Sequence, residues 1–210
     1  MAKGKFITLE GGEGTGKSTQ SSMLADALQS AGIDTLSTRE PGGAVGAEEI
    51  RNLLVKGEVA RWEPLTEALL HYAARHEHLQ KTVFPALEAG TWVISDRFAD
   101  STMAYQGYGH GLDREIVTRL HRLVVNGFTP DLTIILDIPP EVGLKRATAG
   151  EEDRYERMNL EFHQRLRAGF LDIAGREPER CAVLDASDGI TEVQNRIQAL
   201  VRVRLGAPLP

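Results

Sequence analysis

One eight-residue stretch near the start of the chain has the composition and spacing of a phosphate-binding loop. Residues 11–18 are Gly-Gly-Glu-Gly-Thr-Gly-Lys-Ser and fit the pattern G-x-x-x-x-G-K-[ST]. Glycines let the backbone turn tightly, so that successive N–H groups point at an anion. Lys17 can then reach the β- and γ-phosphates, and Ser18 can hold Mg²⁺. The loop predicts binding of a nucleoside triphosphate by these residues: Gly11, Gly12, Glu13, Gly14, Thr15, Gly16, Lys17, Ser18 and Thr19.

The segments on either side of the loop favour the strand–loop–helix arrangement that this motif needs. Phe6–Glu10 is a short β-prone run, and Ser18–Ala31 favours a helix that ends at Gly32. Four more short apolar runs favour strands, and helical patterns separate them. The predicted strands are 35–38, 92–96, 132–137 and 182–185. The predicted helices are 47–55, 64–89 with a kink or end at Pro85, 113–125, 141–149, 153–174 and 191–205. This alternation predicts an α/β fold with a parallel sheet.

Composition limits the class of protein further. A chain of 210 residues fits one large α/β domain, 1–210, and the net charge of −6 argues against general nucleic-acid binding. Cys181 is the only cysteine, so no intrachain disulfide can form. No stretch approaches the roughly 20 apolar residues of a membrane span. We expect a cytoplasmic protein with no membrane or nucleic-acid partner.

Carboxylates follow several of the predicted strands. Because ligands gather at the carboxyl ends of parallel strands, these side chains are candidates for a metal or substrate site. Asp96 ends the apolar run 92–95 and should orient Mg²⁺ or its waters, with Asp137 as the rival acid. The adjacent Arg97 favours Asp96, although the two could also form only a local salt bridge. Glu10 either joins the metal or acceptor site or is simply a polar residue at a strand end.

Two kinds of nucleotide-using protein are disfavoured by what the sequence contains. A GTPase would need an Asn-Lys-x-Asp or Thr-Lys-x-Asp sequence to read guanine, and neither occurs. A mechanical ATPase usually has more mass than 210 residues and a larger coupled domain. A small-molecule kinase needs only a donor site, an acceptor site and arginines that hold two anionic groups together. The chain has 18 Arg against 6 Lys, which suits phosphate binding or reflects genome composition.

Four further motifs, which occur along the chain in the order 38–43, 69–75, 96–98 and 101–107, resemble signatures of the thymidylate kinases. They are Leu-Leu-His-Tyr-Ala-Ala-Arg at 69–75, Ser-Thr-Met-Ala-Tyr-Gln-Gly at 101–107, Thr-Arg-Glu-Pro-Gly-Gly at 38–43 and Asp-Arg-Phe at 96–98. With the loop at 11–18, the resemblance runs from about residue 6 to 188. It implies a P-loop nucleoside-monophosphate-kinase-like fold, with a five-stranded parallel sheet flanked by helices on both faces. It also implies phosphoryl transfer from MgATP to dTMP, giving dTDP and ADP, and a homodimer.

The resemblance assigns roles to individual residues. Glu40, Pro41 and Arg51 should line the acceptor side, with Arg51 on the dTMP phosphate. The base and sugar should be read by Arg75, Thr102, Gln106 and Tyr105, with Tyr105 excluding a 2′-hydroxyl. Lys17 should bridge the donor phosphates and Arg97 should hold the acceptor phosphate. The family usually has Phe where this chain has His71, and we hypothesise that His71 stacks on thymine instead.

A charged stretch completes the predicted site. The loop at 11–18 contains no Arg, whereas residues 145–157 are dense in charge and include Gly150. This distribution resembles the bacterial type of thymidylate kinase, which has a basic mobile lid. The resemblance implies that Arg154 approaches the transferring phosphate on closure and that Arg146 lies near adenine. A solvated, charge-mixed pair of helices remains the alternative.

Two other functions stay open at this stage. A kinase of the same architecture could act on another nucleotide or on a nucleoside, in which case Glu10 could accept the hydroxyl proton. An ATP-bound regulatory switch without catalysis belongs to a different class. Comparing dTMP with thymidine as acceptor separates the first alternative, and ADP formation that depends on dTMP excludes the second.

Overall fold

Five parallel strands form one sheet in the order β2-β3-β1-β4-β5. The structure is a computed structural model that describes residues 3–147 and 154–209. The strands are β1 (Phe6–Glu10), β2 (Thr35–Arg39), β3 (Trp92–Asp96), β4 (Leu132–Asp137) and β5 (Cys181–Asp185). All five predicted strands are confirmed, two of them one residue longer than predicted. The central strand β1 is buried along its whole length, as expected of a strand covered on both faces.

Helices cover both faces of this sheet. They are α1 (Lys17–Ser30), α2 (Val45–Val55), α3 (Pro64–His78), α4 (Phe84–Glu88), α5 (Ala99–Thr102), α6 (Arg114–Val125), α7 (Pro140–Ala147), α8 (Leu160–Arg176) and α9 (Ile190–Leu205). One apolar core lies between the sheet, α1 and α9, and includes Leu24 and Ile197. On the other face, Tyr72 and Val117 belong to a second core that α3 and α6 contribute to. The predicted fold class is therefore confirmed.

The predicted helix 64–89 is continuous but changes its geometry before Pro85. The α-helix α3 gives way to a π-helical segment, Leu79–Val83, in which the Phe84 N–H bonds to the Leu79 carbonyl five residues back. The wider turn then leads into α4, where Pro85 occupies the first turn. Proline is tolerated there because it has no backbone N–H that would need an acceptor. The expected interruption is thus a change of hydrogen-bond register. A second π-helical segment, Met103–Gly109, follows α5 and carries Tyr105 and Gln106.

The predicted helix 153–174 begins too early. In the structure α8 starts at Leu160, because Asn159 caps it by accepting the Phe162 N–H at 2.9 Å. Residues 154–157 form turns instead. The end of the predicted helix 141–149 and the middle of the predicted lid, 148–153, lie outside the described residues. Within the described ranges no helix is both long and apolar enough to span a membrane.

Candidate active site

The glycine-rich loop joins β1 to α1, and its backbone conformation requires glycine. Gly11, Gly14 and Gly16 have φ angles of 134°, 65° and 88°, which L side chains rarely adopt. Lys17 folds over the loop, where its Nζ donates to the Gly12 carbonyl oxygen at 2.6 Å. Burial and the neighbouring Arg97 lower the pKa of Lys17 to about 8. The loop therefore has the strand, turn and lysine geometry of a triphosphate site.

Asp96 lies at the mouth of this loop because β3 pairs directly with β1. Leu9 is in register with Asp96, and the Ser18 hydroxyl donates to the Asp96 carboxylate. The other carboxylate oxygen, Oδ1, is buried without a hydrogen-bond partner. A hydroxyl and an unpaired carboxylate oxygen are the hard ligands that Mg²⁺ prefers. Ser18 and Asp96 thus fit a metal held jointly with nucleotide phosphates.

The rival acid, Asp137, is already engaged. It ends β4, on the other side of β1, and its two carboxylate oxygens accept from Arg167 at 2.7 and 2.8 Å. No group of three or more His, Cys, Asp or Glu side chains within residues 3–147 and 154–209 is arranged to hold a metal. A Mg²⁺ site in a phosphoryl-transfer enzyme needs only one or two carboxylates together with substrate phosphates. Of the two acids, only Asp96 contacts Ser18.

Arg97 lies between the glycine-rich loop and the residues predicted to bind the acceptor. Its Nη1 donates to the Gly11 carbonyl oxygen at 2.9 Å, and its Nη2 donates to Glu13 at 3.0 Å. The guanidinium lies 5.0 Å from the centre of the Tyr105 ring. Burial lowers the pKa of Arg97, but Tyr105 and Glu13 outweigh it and the net shift is upward, so the group stays charged. A permanent cation therefore lies at the loop edge.

Glu10 braces the backbone that presents Arg97. Its carboxylate accepts the Phe98 N–H at 2.8 Å and the Ser101 hydroxyl at 2.6 Å. Burial, together with the nearby Asp100, raises the pKa of Glu10 to about 7. Glu10 does not line the large cavity described next. The structure thus places it behind the site, and its direct substrate contact stays a prediction.

A cavity of about 500 Å³ runs from the glycine-rich loop to the predicted acceptor residues. Most of the predicted site lines it: Glu13, Gly14, Gly16, Lys17, Ser18, Thr19, Glu40, Pro41, Arg51, His71, Arg75, Asp96, Arg97, Thr102, Tyr105 and Gln106. Gly11, Gly12, Thr15, Arg146 and Arg154 do not line it. Residues that are distant in sequence therefore share one space of a size suited to small-molecule ligands.

The far end of the cavity offers both a donor and an acceptor. Arg75 is buried, and its Nε donates to Glu40 at 2.7 Å while its Nη2 donates to Thr102 at 3.0 Å. Its Nη1 is buried without a partner. The Gln106 Nε2 donates to Glu67 at 2.7 Å, which leaves the buried Gln106 Oε1 unpartnered. A planar ligand with carbonyl and N–H groups would satisfy both atoms.

His71 closes the same end together with Tyr155, a residue near the end of the predicted lid. The His71 Nε2 and the Tyr155 hydroxyl are 2.9 Å apart, and the Tyr155 ring meets the Tyr105 ring edge-on at 5.2 Å. Burial and the charges of Arg75 and Arg154 lower the pKa of His71 to about 3, so the imidazole is neutral. Sequence reasoning missed Tyr155, which only its position beside Arg154 could have indicated.

Arg154 lies apart from the phosphate loop in this structure. Its guanidinium is fully buried, donates to Glu67 and also donates to the carbonyl oxygens of Leu54 and Val59 at 3.0 Å. The predicted approach to the transferring phosphate would therefore require Arg154 to leave Glu67. Glu67 was also missed from the sequence, although its spacing of four residues from His71 puts both on one face of α3.

Arg146 is held by the segment that follows β5. It is in the last turn of α7, and its guanidinium donates to the carbonyl oxygens of Ala186 and Ser187 at 2.9 and 3.0 Å. The segment after β5 and the end of α7 are thereby held together. The predicted position near adenine stays a prediction.

The fold and the site define a class of protein. A five-stranded parallel sheet, a glycine-rich loop that enters a helix, and a single cavity with acid and arginine side chains are the features of a P-loop phosphotransferase of the nucleoside-monophosphate-kinase type.

Comparisons with known proteins identify the family within that class. The family model described as thymidylate kinase matches residues 9–197. A thymidylate kinase of Caulobacter vibrioides is 53% identical over 98% of this chain and 100% of its own length. One from Jannaschia is 50% identical over 95% of this chain and 97% of its own. A crystal structure of thymidylate kinase from Ehrlichia chaffeensis, 38% identical, superposes with a TM-score of 0.77 over 95% of this chain and 99% of that one. The chain belongs to the thymidylate kinase family.

Proposed function

We propose that this protein transfers the γ-phosphoryl group of ATP to dTMP, giving dTDP and ADP. The observation that carries the proposal is the single cavity that connects Lys17 and Ser18 at one end with Arg75 and Gln106 at the other. Arg97 lies between these ends. The cavity thus offers a site for a triphosphate, a site for a base and a cation where two phosphates would meet.

The donor half binds and orients ATP. Backbone N–H groups of residues 11–18 surround the phosphates, and Lys17 follows the transferring group. Asp96 and Ser18 would hold Mg²⁺, which would supply positive charge against the phosphates of the nucleotide. With a pKa of about 8, Lys17 stays mostly protonated at neutral pH, and bound phosphates favour its protonated form further.

The acceptor half binds dTMP and reads its base. Arg97 and Arg51 hold the dTMP phosphate, with Arg51 fixed by its donation to the Pro41 carbonyl oxygen at 2.9 Å. The free Nη1 of Arg75 donates to a thymine carbonyl, and the Gln106 Oε1 accepts a base N–H. Tyr105 packs under the deoxyribose, where a 2′-hydroxyl would collide with it.

The chemistry needs no strong general base. A phosphate monoester carries about −1.5 to −2 charge at neutral pH, so its attacking oxygen is already deprotonated. The obstacle is repulsion between the two phosphates. Lys17 and Arg97 lower it by positive charge, and the cavity holds the reacting oxygens in line. Arg154 adds a third cation if it leaves Glu67 on closure of the lid, 145–157.

Assembly and location complete the proposal. Leu69 on α3 and Leu123 on α6 are 48% and 80% exposed, which favours a homodimer through these two helices.

We place the whole chain, 1–210, in one kinase domain. The single buried Cys181 suits a reducing, cytoplasmic compartment.

The experiment that tests the function compares dTMP with thymidine as acceptor in an assay that measures ADP. The proposal predicts ADP formation that requires dTMP and yields dTDP, with thymidine inactive and Lys17→Met greatly slower. Activity on thymidine but not dTMP would favour the nucleoside kinase. ADP formation without any acceptor would favour an ATP-bound switch.

A further inference from the structure

Helix α7 packs on the phosphate loop backbone to backbone, with no side chain between them. A Cβ built on Gly143 would lie 2.3 Å from the Glu13 carbonyl oxygen. One built on Gly14 would lie 1.9 Å from the Gly143 carbonyl oxygen. Side chains do not approach backbone oxygens this closely, so the contact exists only because both residues are glycine.

Gly143 must be glycine because of this contact, and not because of its own backbone conformation. It is a helical residue of α7 and is absent from the positions with positive φ, unlike Gly14. Glycine inside a helix costs about 1 kcal/mol relative to alanine. At a position with ordinary helical geometry and free space, alanine would therefore make the helix more stable. The side chain of Ile138 limits any retreat, because its Cδ1 would lie 3.2 Å from the built Cβ.

The contact reaches the groups that bind phosphate. The Glu13 backbone that touches Gly143 is part of the loop, and the Glu13 carboxylate accepts from Arg97 and Tyr105. At its other end α7 carries Arg146 and leads into the charged stretch 145–157. A shift at Gly143 would therefore move the loop N–H groups and the start of this stretch together.

We propose that Gly143 is a positioning residue of the phosphoryl-donor site, which lets α7 fix the conformation of the phosphate loop and couples that loop to the last turn of α7, where Arg146 lies. The inference rests on the proposed function only in taking an adenine nucleotide as the donor. It holds for any phosphoryl acceptor.

The test compares Gly143→Ala with Gly175→Ala. Gly175 lies in α8, where a built Cβ has no heavy atom within 4 Å, so alanine fits there without displacement. Gly143→Ala should weaken ADP binding by roughly tenfold or more, since the Cβ must push backbone aside. The Kd for dTMP should stay close to that of Gly175→Ala, even though the displaced backbone lowers the Tm of the free protein. An unchanged Kd for ADP would overturn the proposal, and so would equal weakening of ADP and dTMP.

A measurement on the wild-type protein removes any dependence on the fold of the variant. ADP should slow hydrogen exchange at the amides of 142–146 as well as those of 11–18. Protection confined to 11–18 would overturn the coupling. If the wild type binds ADP but phosphorylates no dTMP, the proposed function fails while this inference stands. If it makes dTDP and Gly143→Ala binds ADP normally, only this inference fails.

Discussion

Arg154 is buried against Glu67, one helical turn along α3 from His71. Both charged side chains are almost completely removed from solvent, with exposures of 0% and 1%. A buried pair of this kind leaves an uncompensated charge when one partner is removed, at a cost of about 3–5 kcal/mol. Arg154, which is predicted to act on the phosphate, therefore also anchors the end of the predicted lid to α3 on the acceptor side.

Arg154→Ala should therefore lower both stability and kcat, and the two effects can be separated. The variant should unfold at lower urea concentration because the buried Glu67 carboxylate loses its cationic partner. The kcat should fall far more than the KM for ATP rises, because the predicted role is in the transition state. The double variant Glu67→Gln with Arg154→Ala should regain stability but not kcat. Recovery of kcat together with stability would leave Arg154 with an anchoring role alone.

Asp96 and Asp137 differ in what they contact, and a magnesium titration should show it. Asp96→Asn should raise the Mg²⁺ concentration needed for half-maximal activity, because a weaker ligand replaces a carboxylate beside Ser18. Asp137→Asn serves as the matched control. It weakens the pair with Arg167 but should leave the Mg²⁺ dependence unchanged. The opposite pattern would assign the metal to Asp137.

His71 should contribute to dTMP binding through its ring and not through charge. His71→Ala should raise the KM for dTMP by about 2- to 10-fold, the range expected for one aromatic contact, while the KM for ATP stays constant. His71→Phe should retain or improve dTMP binding despite losing the bond to Tyr155. His76→Ala, an exposed position on the same helix, is the control. If neither His71 variant changed the KM for dTMP, the stacking hypothesis would be wrong.

Glu10 should make the protein less stable as pH rises through its titration range. Because the pKa of Glu10 is raised from 4.5 to about 7, the folded state keeps a proton that the unfolded state loses between these values. The unfolding free energy should fall by up to roughly 3 kcal/mol from pH 4.5 to 7 and change little from this source above pH 7. Glu10→Gln should flatten this difference in urea unfolding, whereas the exposed Glu63→Gln should not. Equal slopes for wild type and Glu10→Gln would contradict the buried-carboxyl account.

The sheet and the donor side of the cavity could be predicted from local signals in the sequence, whereas the acceptor side followed from the resemblance to the thymidylate kinases. Phe6–Glu10 and Trp92–Asp96 are short apolar runs that end in a carboxylate, and parallel pairing necessarily brings those ends to one edge. The loop at 11–18 could likewise be predicted from a local signal, the spacing of its glycines before Lys17 and Ser18. Elements with strong local patterns were therefore located to within one or two residues.

Several features of the fold and the site could not be predicted from the sequence. The π-helical segment 103–109 has no local signature. The start of α8 is set by a local cap at Asn159, which the charged residues just before it obscured by favouring helix. The partner of Arg154 could not be predicted, because Glu67 is 87 residues away in the chain. The close approach of Gly143 to Glu13 likewise arises only when β4 and β1 pair.

The most direct test of the central claim is a panel of nucleoside monophosphates in a coupled assay of ADP formation. With MgATP as donor, dTMP should be the preferred acceptor by kcat/KM. Purine nucleotides should be poor, because Arg75 and Gln106 would lose their partners, and ribonucleotides should be poor, because Tyr105 would meet the 2′-hydroxyl. Comparable or higher kcat/KM with AMP, GMP or CMP would contradict the assignment of this cavity to dTMP.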